Sequence, residues 1–232
     1  QHFATIGLNP KEANDARCRE VLGVLPRYLA KDRVVAVGEL GYDSMTPEED
    51  EVFAHQLVLA VEHDLPALVH TPHRDKLTGT RRTLDVVRES GLAPGRVLVD
   101  HLNEVTVGVV ADSGCWMGFS IYPDTKMDPH RMVAILREHG TERMVVNSAA
   151  DWGRSDPLLT VRTAEAMLAA GFDDDDVDRV LWRNPVEFYG QSGRLELDDV
   201  APDAVATPVA VGAPGTGETF EGNSVLRGSR DG

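Results

Sequence analysis

Val34-Val35-Ala36-Val37-Gly38-Glu39-Leu40-Gly41-Tyr42-Asp43 is an apolar run that ends on a carboxylate. Three later runs share that form: Ala67-Leu68-Val69-His70, Val97-Leu98-Val99-Asp100-His101 and Met144-Val145-Val146-Asn147-Ser148-Ala149-Ala150-Asp151. Glu39, His70 and His101 are each 31 positions apart, and Asp151 follows after 50. A spacing of roughly 30 residues is that of one βα unit. The same place in successive units therefore holds Glu, His, His and, two units on, Asp. Groups that end neighbouring parallel strands of a barrel converge at its C-terminal mouth, so the spacing predicts an α/β barrel with a cluster of metal-capable groups at one end.

Working outward, the run His2 to Pro10 is β-rich and closes with a turn signal, and residues 11–31 place apolar side chains near a 3.6 period. Thr46-Pro47-Glu48-Glu49 reads as an N-cap, a proline at the first helical position and acids behind it, opening a helix to about His63. A basic helix ends near Gly91, a short one begins at Asn103 to Val105, and Trp116 to Tyr122 forms a further strand. Helices from Asp128-Pro129 to His139, from Ser155-Asp156-Pro157 to Gly171 and from Asp174 to about Tyr189 complete the regular part. Six strands alternate with helices, where a closed TIM-type (β/α)8 barrel has eight. Residues 1–193 are expected to form the barrel domain. Residues 194–232, rich in Asp, Ala, Pro, Val, Thr and Gly without a period, are expected to be an irregular, largely mobile tail.

The chain has 232 residues, 38 acidic against 23 basic, with a formal net charge of -15. Such acidity argues against a surface that grips nucleic acid through its phosphates alone. Cys18 and Cys115, the two cysteines, lack partner spacing and are expected to be reduced buried thiols of a cytoplasmic protein. No apolar run reaches the roughly 18 residues of a membrane span.

Two imidazoles and two carboxylates suit zinc, manganese, iron or a similar divalent ion. A catalytic site of that kind keeps a position for water and needs a carboxylate to take its proton. Asp151 is the candidate for that role as well as for metal binding. His73 and Arg74, just past the His70 strand, are candidates for an anionic group of the substrate. Trp152 is a candidate for lining the pocket, and Tyr122 for a hydrogen bond to the substrate. The acidic run Asp173 to Asp176 lacks the alternation of a calcium loop and reads as a charged helix N-terminus.

These residues resemble the TatD-like metal-dependent hydrolases of the amidohydrolase superfamily. Gly38-Glu39-Leu40-Gly41-Tyr42-Asp43 is similar to that family's GEIGLD segment, in which the Glu is a metal ligand. Phe53, Gln56, Leu59 and Ala60, then Leu65-Pro66 and Val69-His70-Thr71, continue the pattern, and Asn184-Pro185 with Phe188-Tyr189-Gly190 resembles its closing helix. The resemblance spans residues 2–190. It implies that His70 and His101 are ligands and that one or two divalent ions are bound, zinc, manganese, magnesium or iron.

Two departures accompany it. The family opens with a His-x-His pair on its first strand, which nothing before His2-Phe3 supplies, and Ile6-Gly7-Leu8-Asn9-Pro10 resembles its third-strand GIHP segment. The chain therefore reads as a barrel incomplete at its N-terminus, the natural protein being expected to carry about 50 more residues, two βα units less their missing ends. Edges opened in this way are expected to make the chain unstable or aggregation-prone unless covered. The family's final strand usually carries Glu-Thr-Asp-Ala-Pro. Here Asn147 stands in the place of the Glu, and the aspartate, Asp151, comes two positions late. Asp156 is the fallback, although Pro157 makes it a better helix cap.

The expected function is metal-dependent hydrolysis of an ester, phosphoester or amide bond by a metal-activated water, acting on a small molecule. The resemblance adds DNA as a substrate, hence a deoxyribonuclease, as an alternative. The other alternative is a non-catalytic barrel that binds a ligand or partner.

Overall fold

The computed structural model describes residues 2–123, 127–148, 155–195 and 197. Its centre is a six-stranded sheet, β1 (Ala4–Ile6), β2 (Val34–Gly41), β3 (Ala67–His70), β4 (Val97–Asp100), β5 (Trp116–Ile121) and β6 (Met144–Ser148). Every neighbouring pair is parallel and the strand order is the sequence order. Helices make the crossovers: α1 (Cys18–Leu29), α2 (Pro47–Glu62), α3 (Lys76–Ser90), α4 (Val107–Ala111) and α5 (Pro129–His139). After β6 come α6 (Leu159–Ala169), α7 (Asp174–Asp178), a π turn (Arg179–Arg183) and α8 (Asn184–Gly190). This is the expected (β/α)-barrel architecture, with β1 and β6 each paired on one side only among the described residues.

The strands β2 to β6 are mostly buried, as parallel strands covered by helices are, whereas the edge strand β1 is partly exposed. All four residues of β4 and all six of β5 are buried. The main core cluster includes Leu29, Leu40, Phe53, Leu57, Leu65, Phe119 and Met132, all essentially inaccessible. Gln56 is fully buried yet satisfied. Its Oε1 accepts from Leu8 N at 2.6 Å and its Nε2 donates to Leu8 O at 3.0 Å, which ties α2 to the loop after β1.

The helix starts follow the capping chemistry. Thr46 Oγ1 accepts from Glu49 N, Asp128 accepts from His130 and Arg131 N, and Asp173 accepts from Asp176 N. The acidic run at 173–176 is thus a capped helix N-terminus. α3 ends on Gly91 at φ 77°, the left-handed C-terminal position that glycine fills without strain.

Two expectations need correction. The first long helix begins at Cys18 rather than near residue 11. Asn9 caps a separate 3-10 turn at Pro10–Glu12, and Asp15 Oδ1 then accepts from Arg17 N, so side chains compete for the amides a longer helix would use. Cys18 is also partly exposed, whereas Cys115 is buried, and neither is in a disulfide. No helix among the described residues is long and apolar enough to cross a membrane.

Candidate metal centre

Glu39 is carried by an irregularity in β2. Gly38 pairs with Leu68 and Leu40 with the next residue, Val69, so Glu39 is the extra residue of a bulge. A bulge re-aims the side chain it carries. The flanking glycines are required by crowding as well as by conformation. A Cβ on Gly38, whose φ is 154°, would lie 2.6 Å from the Leu68 carbonyl oxygen. One on Gly41, at φ 124°, would collide with the His70 carbonyl.

His70 is the last residue of β3, and His101 follows β4 in the left-handed conformation at φ 62°. A histidine with positive φ is uncommon and marks a position held by its surroundings. Here Asp100 Oδ1 accepts from His101 N at 2.6 Å, and Leu102 N donates to the Gly118 carbonyl.

These three side chains meet. His70 Nδ1 lies 3.0 Å from Glu39 Oε1 and His101 Nε2 lies 3.4 Å from Glu39 Oε2. The imidazoles stand edge to face with ring centroids 4.5 Å apart. Asn9 Nδ2 donates to Glu39 Oε1 at 2.9 Å. Burial pushes the Glu39 carboxyl up, but hydrogen bonds from His101 and His70 and the charge of those rings outweigh it and hold the group well below the usual carboxylate range.

One donor atom from each of Glu39, His70 and His101 lies within 4.8 Å of the other two. Two imidazoles and a carboxylate are a ligand set for a divalent ion of the zinc, iron or manganese type. His70 Nδ1 and His101 Nε2 both face the Glu39 oxygens, so nitrogen and oxygen donors point at a common place. The residues present fit such an ion.

Beside the cluster lies a hollow of about 240 Å³ lined by His70, Thr71, His73, Lys76, His101, Leu102 and Asn103. His73 is therefore at the site, exposed at its rim. Arg74 is exposed and Tyr122 is buried at 5% exposure, and neither lines this hollow. Asp151 and Trp152 lie outside the described residues. The fallback Asp156 is a helix-end group, accepting from Leu158 N and pairing with Arg162 at 3.0 Å. A larger hollow of about 620 Å³ is apolar, bounded by Phe3, Val35, Leu181, Trp182, Val186 and Tyr189 among others, and holds none of the metal-capable residues.

Asn9, Lys76 and Asp100 adjoin the cluster or its hollow, and the pattern of strand ends did not single them out. Lys76 Nζ donates to Thr71 Oγ1 at 3.2 Å and to the Pro72 carbonyl at 3.3 Å, which holds a cation at the wall of the hollow. Asp100 is 4% exposed beneath His101. The Asp100-His101 dipeptide closing an apolar run was the available signal for it.

Residues 1–190 match the family model for TatD-related DNase. The chain belongs to the TatD-related DNase family. It is 26% identical over 165 residues to an uncharacterised metal-dependent hydrolase of Methanocaldococcus jannaschii, covering 71% of this chain and 65% of that protein. It is 34% identical over 94 residues to another such hydrolase of Bacillus subtilis, covering 38% of this chain and 34% of that one. The chain thus spans less than two thirds of either relative. Among solved structures, the TatD-like protein of Archaeoglobus fulgidus superposes with a TM-score of 0.65 at 29% identity, covering 80% of this chain and 70% of that one. A phosphotriesterase homology protein of Escherichia coli, with phosphate in its active site, superposes with a TM-score of 0.61 at 18% identity over 81% of this chain and 74% of that one, which is a likeness of fold. The TatD-related family and the barrel architecture are those to which the sequence pointed.

Proposed function

We propose that this TatD-related chain carries the metal-binding part of a hydrolase that uses a divalent ion and water on an ester, phosphoester or amide bond. The observation that carries the reading is the convergence of Glu39 in β2, His70 at the end of β3 and His101 just past β4, with donor atoms within 4.8 Å of one another. Relatives named as metal-dependent hydrolases support it.

A divalent ion held there supplies Lewis acidity, polarising the scissile group and acidifying water. Glu39 would bring a negative charge to offset the cation. His70 and His101 would hold the ion through ring nitrogens. Asp151 is assigned the proton taken from water, from its place in the sequence after β6. His73 and Lys76, both lining the hollow, are assigned to an anionic oxygen of the substrate. A small molecule is the preferred substrate class, because a net charge of -15 disfavours holding DNA through its phosphates.

The test is metal content by elemental analysis of the purified chain, with His70→Ala and His101→Ala beside it, followed by assays on single-stranded DNA, phosphodiesters and lactones. Loss of retained metal in both variants is expected, with turnover of a small ester or phosphodiester above that of DNA. Metal content unchanged in both variants would overturn the site. Full metal loading without turnover of any of the three would favour a binding barrel instead.

A further inference from the structure

Asp100 is a buried carboxylate that the ligand cluster does not include. It ends β4 directly opposite His70 on β3, one residue before His101. Three groups donate to it: His101 N to Oδ1 at 2.6 Å, Ser120 Oγ to Oδ2 at 3.1 Å and Asn147 Nδ2 to Oδ2 at 3.2 Å. β4, β5 and β6 are thereby joined through one side chain. The fold also makes room for it, since a Cβ on Gly118 would fall 2.7 Å from Asp100 Oδ1.

The three donors occupy three of the about four acceptor positions a carboxylate offers, two on Oδ2 and one on Oδ1, which leaves one on Oδ1. His101 Nδ1 is buried, without a hydrogen-bond partner and 4.0 Å from the carboxylate at Asp100 Oδ2, so a small turn of the ring brings its N–H to this group. The other ring nitrogen of His101, Nε2, faces Glu39. A histidine that binds a metal through one nitrogen commonly donates its other N–H to a carboxylate, which sets the tautomer and ring orientation. Asp100 stands on the side of the ring where that acceptor is needed.

We propose that Asp100 is a positioning residue for His101: it accepts the Nδ1 proton and so turns Nε2 toward the metal. This rests on the metal site proposed above. Asp100 neither coordinates the ion nor touches substrate. Its hydrogen bonds to Ser120 and Asn147 keep the carboxylate still while the ring closes the 4.0 Å gap. Asn147 accordingly has a place here as a donor to Asp100, at the position where the family resemblance put a Glu.

The experiment measures zinc dissociation constants for the full 232-residue chain and for Asp100→Asn, Ser120→Ala and His101→Ala, with the melting temperature of each metal-free protein recorded alongside. Asp100→Asn is expected to weaken zinc binding about 10–100-fold, the usual effect of losing such a partner. Ser120→Ala is expected to weaken it less, and His101→Ala to abolish it. A ¹⁵N spectrum of the zinc-loaded wild type, which needs no variant to fold, should show His101 protonated at Nδ1.

Zinc affinity of a folded Asp100→Asn equal to wild type, with His101→Ala still abolishing binding, would overturn the role of Asp100 and leave the site standing. So would a His101 protonated at Nε2 in the zinc-loaded chain. Weakening that merely follows the fall in metal-free melting temperature would show a structural role and overturn the proposal. Zinc binding that survives His101→Ala would instead overturn the site reading, and this proposal with it.

Discussion

The side-chain amide of Asn9 donates to Glu39 Oε1 at 2.9 Å, so the loop after β1 holds the carboxylate that faces both imidazoles. A hydrogen bond to a charged acceptor contributes about 1.5–3 kcal/mol. Asn9→Ala should therefore lower unfolding free energy by about 1.5 kcal/mol, the lower end applying because the site is only partly buried. Asn9→Asp should cost the metal-free chain more, by setting a second carboxylate beside Glu39, and zinc should restore part of the loss. Urea unfolding with and without zinc checks both, and an Asn9→Asp chain as stable as wild type without metal would contradict them.

Gly118 and Gly23 should respond to alanine in opposite directions. A Cβ at Gly118 would lie 2.7 Å from Asp100 Oδ1 and 2.9 Å from Asp100 Cα, and the backbone contact cannot be relieved by a rotamer change. Gly118→Ala is expected to destabilise by about 1–3 kcal/mol. Gly23 sits inside α1 with nothing within 4 Å of its would-be Cβ, so Gly23→Ala should stabilise by about 0.5–1 kcal/mol. Denaturation midpoints of the two variants decide this, and a shift of the same sign in both would refute the crowding at Asp100.

Gln56 is the buried tie between α2 and the β1 loop. Gln56→Leu keeps the apolar volume but leaves the Leu8 N–H and carbonyl without partners, at about 1–3 kcal/mol for each group. The exposed neighbour His55→Leu should change stability by less than about 0.5 kcal/mol. Comparable losses in the two variants would show that the tie is not what matters at this position.

Glu104 and Arg131 form a two-bond pair, at 2.8 and 2.7 Å, between the loop before α4 and the start of α5. The hydrogen bond from Arg131 is the main reason the Glu104 carboxyl is lowered from its ordinary value. A carboxyl lowered in the folded state contributes stability above its unfolded pKa of about 4.3 and loses it as pH falls through the folded value. Both side chains are more than a third exposed, which limits the contribution to about 0–1 kcal/mol. Glu104→Gln should thus be slightly less stable than wild type at pH 7, with the gap shrinking in high salt and closing in acid. A gap that widens below pH 4 would reverse the assignment.

Much of the barrel could be read in advance because its signals are local. Parallel strands buried on both faces must be short apolar runs, and β2 to β6 all lie where such runs stood. Thr46-Pro47 and Asp128-Pro129 marked helix starts because capping is a matter of a few adjacent atoms. Where local forces compete, the reading failed. Asn9 and Asp15 drew the backbone into turns, and the residues before Cys18 did not join α1 although their apolar spacing was helical.

By itself the sequence determined which residues end the strands, and so which types of metal-capable group the fold could bring together. It did not determine how they meet. The equal spacing of Glu39, His70 and His101 suggested one common level, yet Gly41 is the partner of His70, and His70 is the partner of Asp100. The three groups are staggered along their strands and converge through the β2 bulge at Glu39 and the left-handed turn at His101. Inter-strand register and side-chain packing decide such features, because they depend on contacts between residues far apart in the chain. For the same reason only the tertiary structure set Asn9 against Glu39, Lys76 at the wall of the hollow, and Asp100 beneath His101 with Ser120 and Asn147 around it.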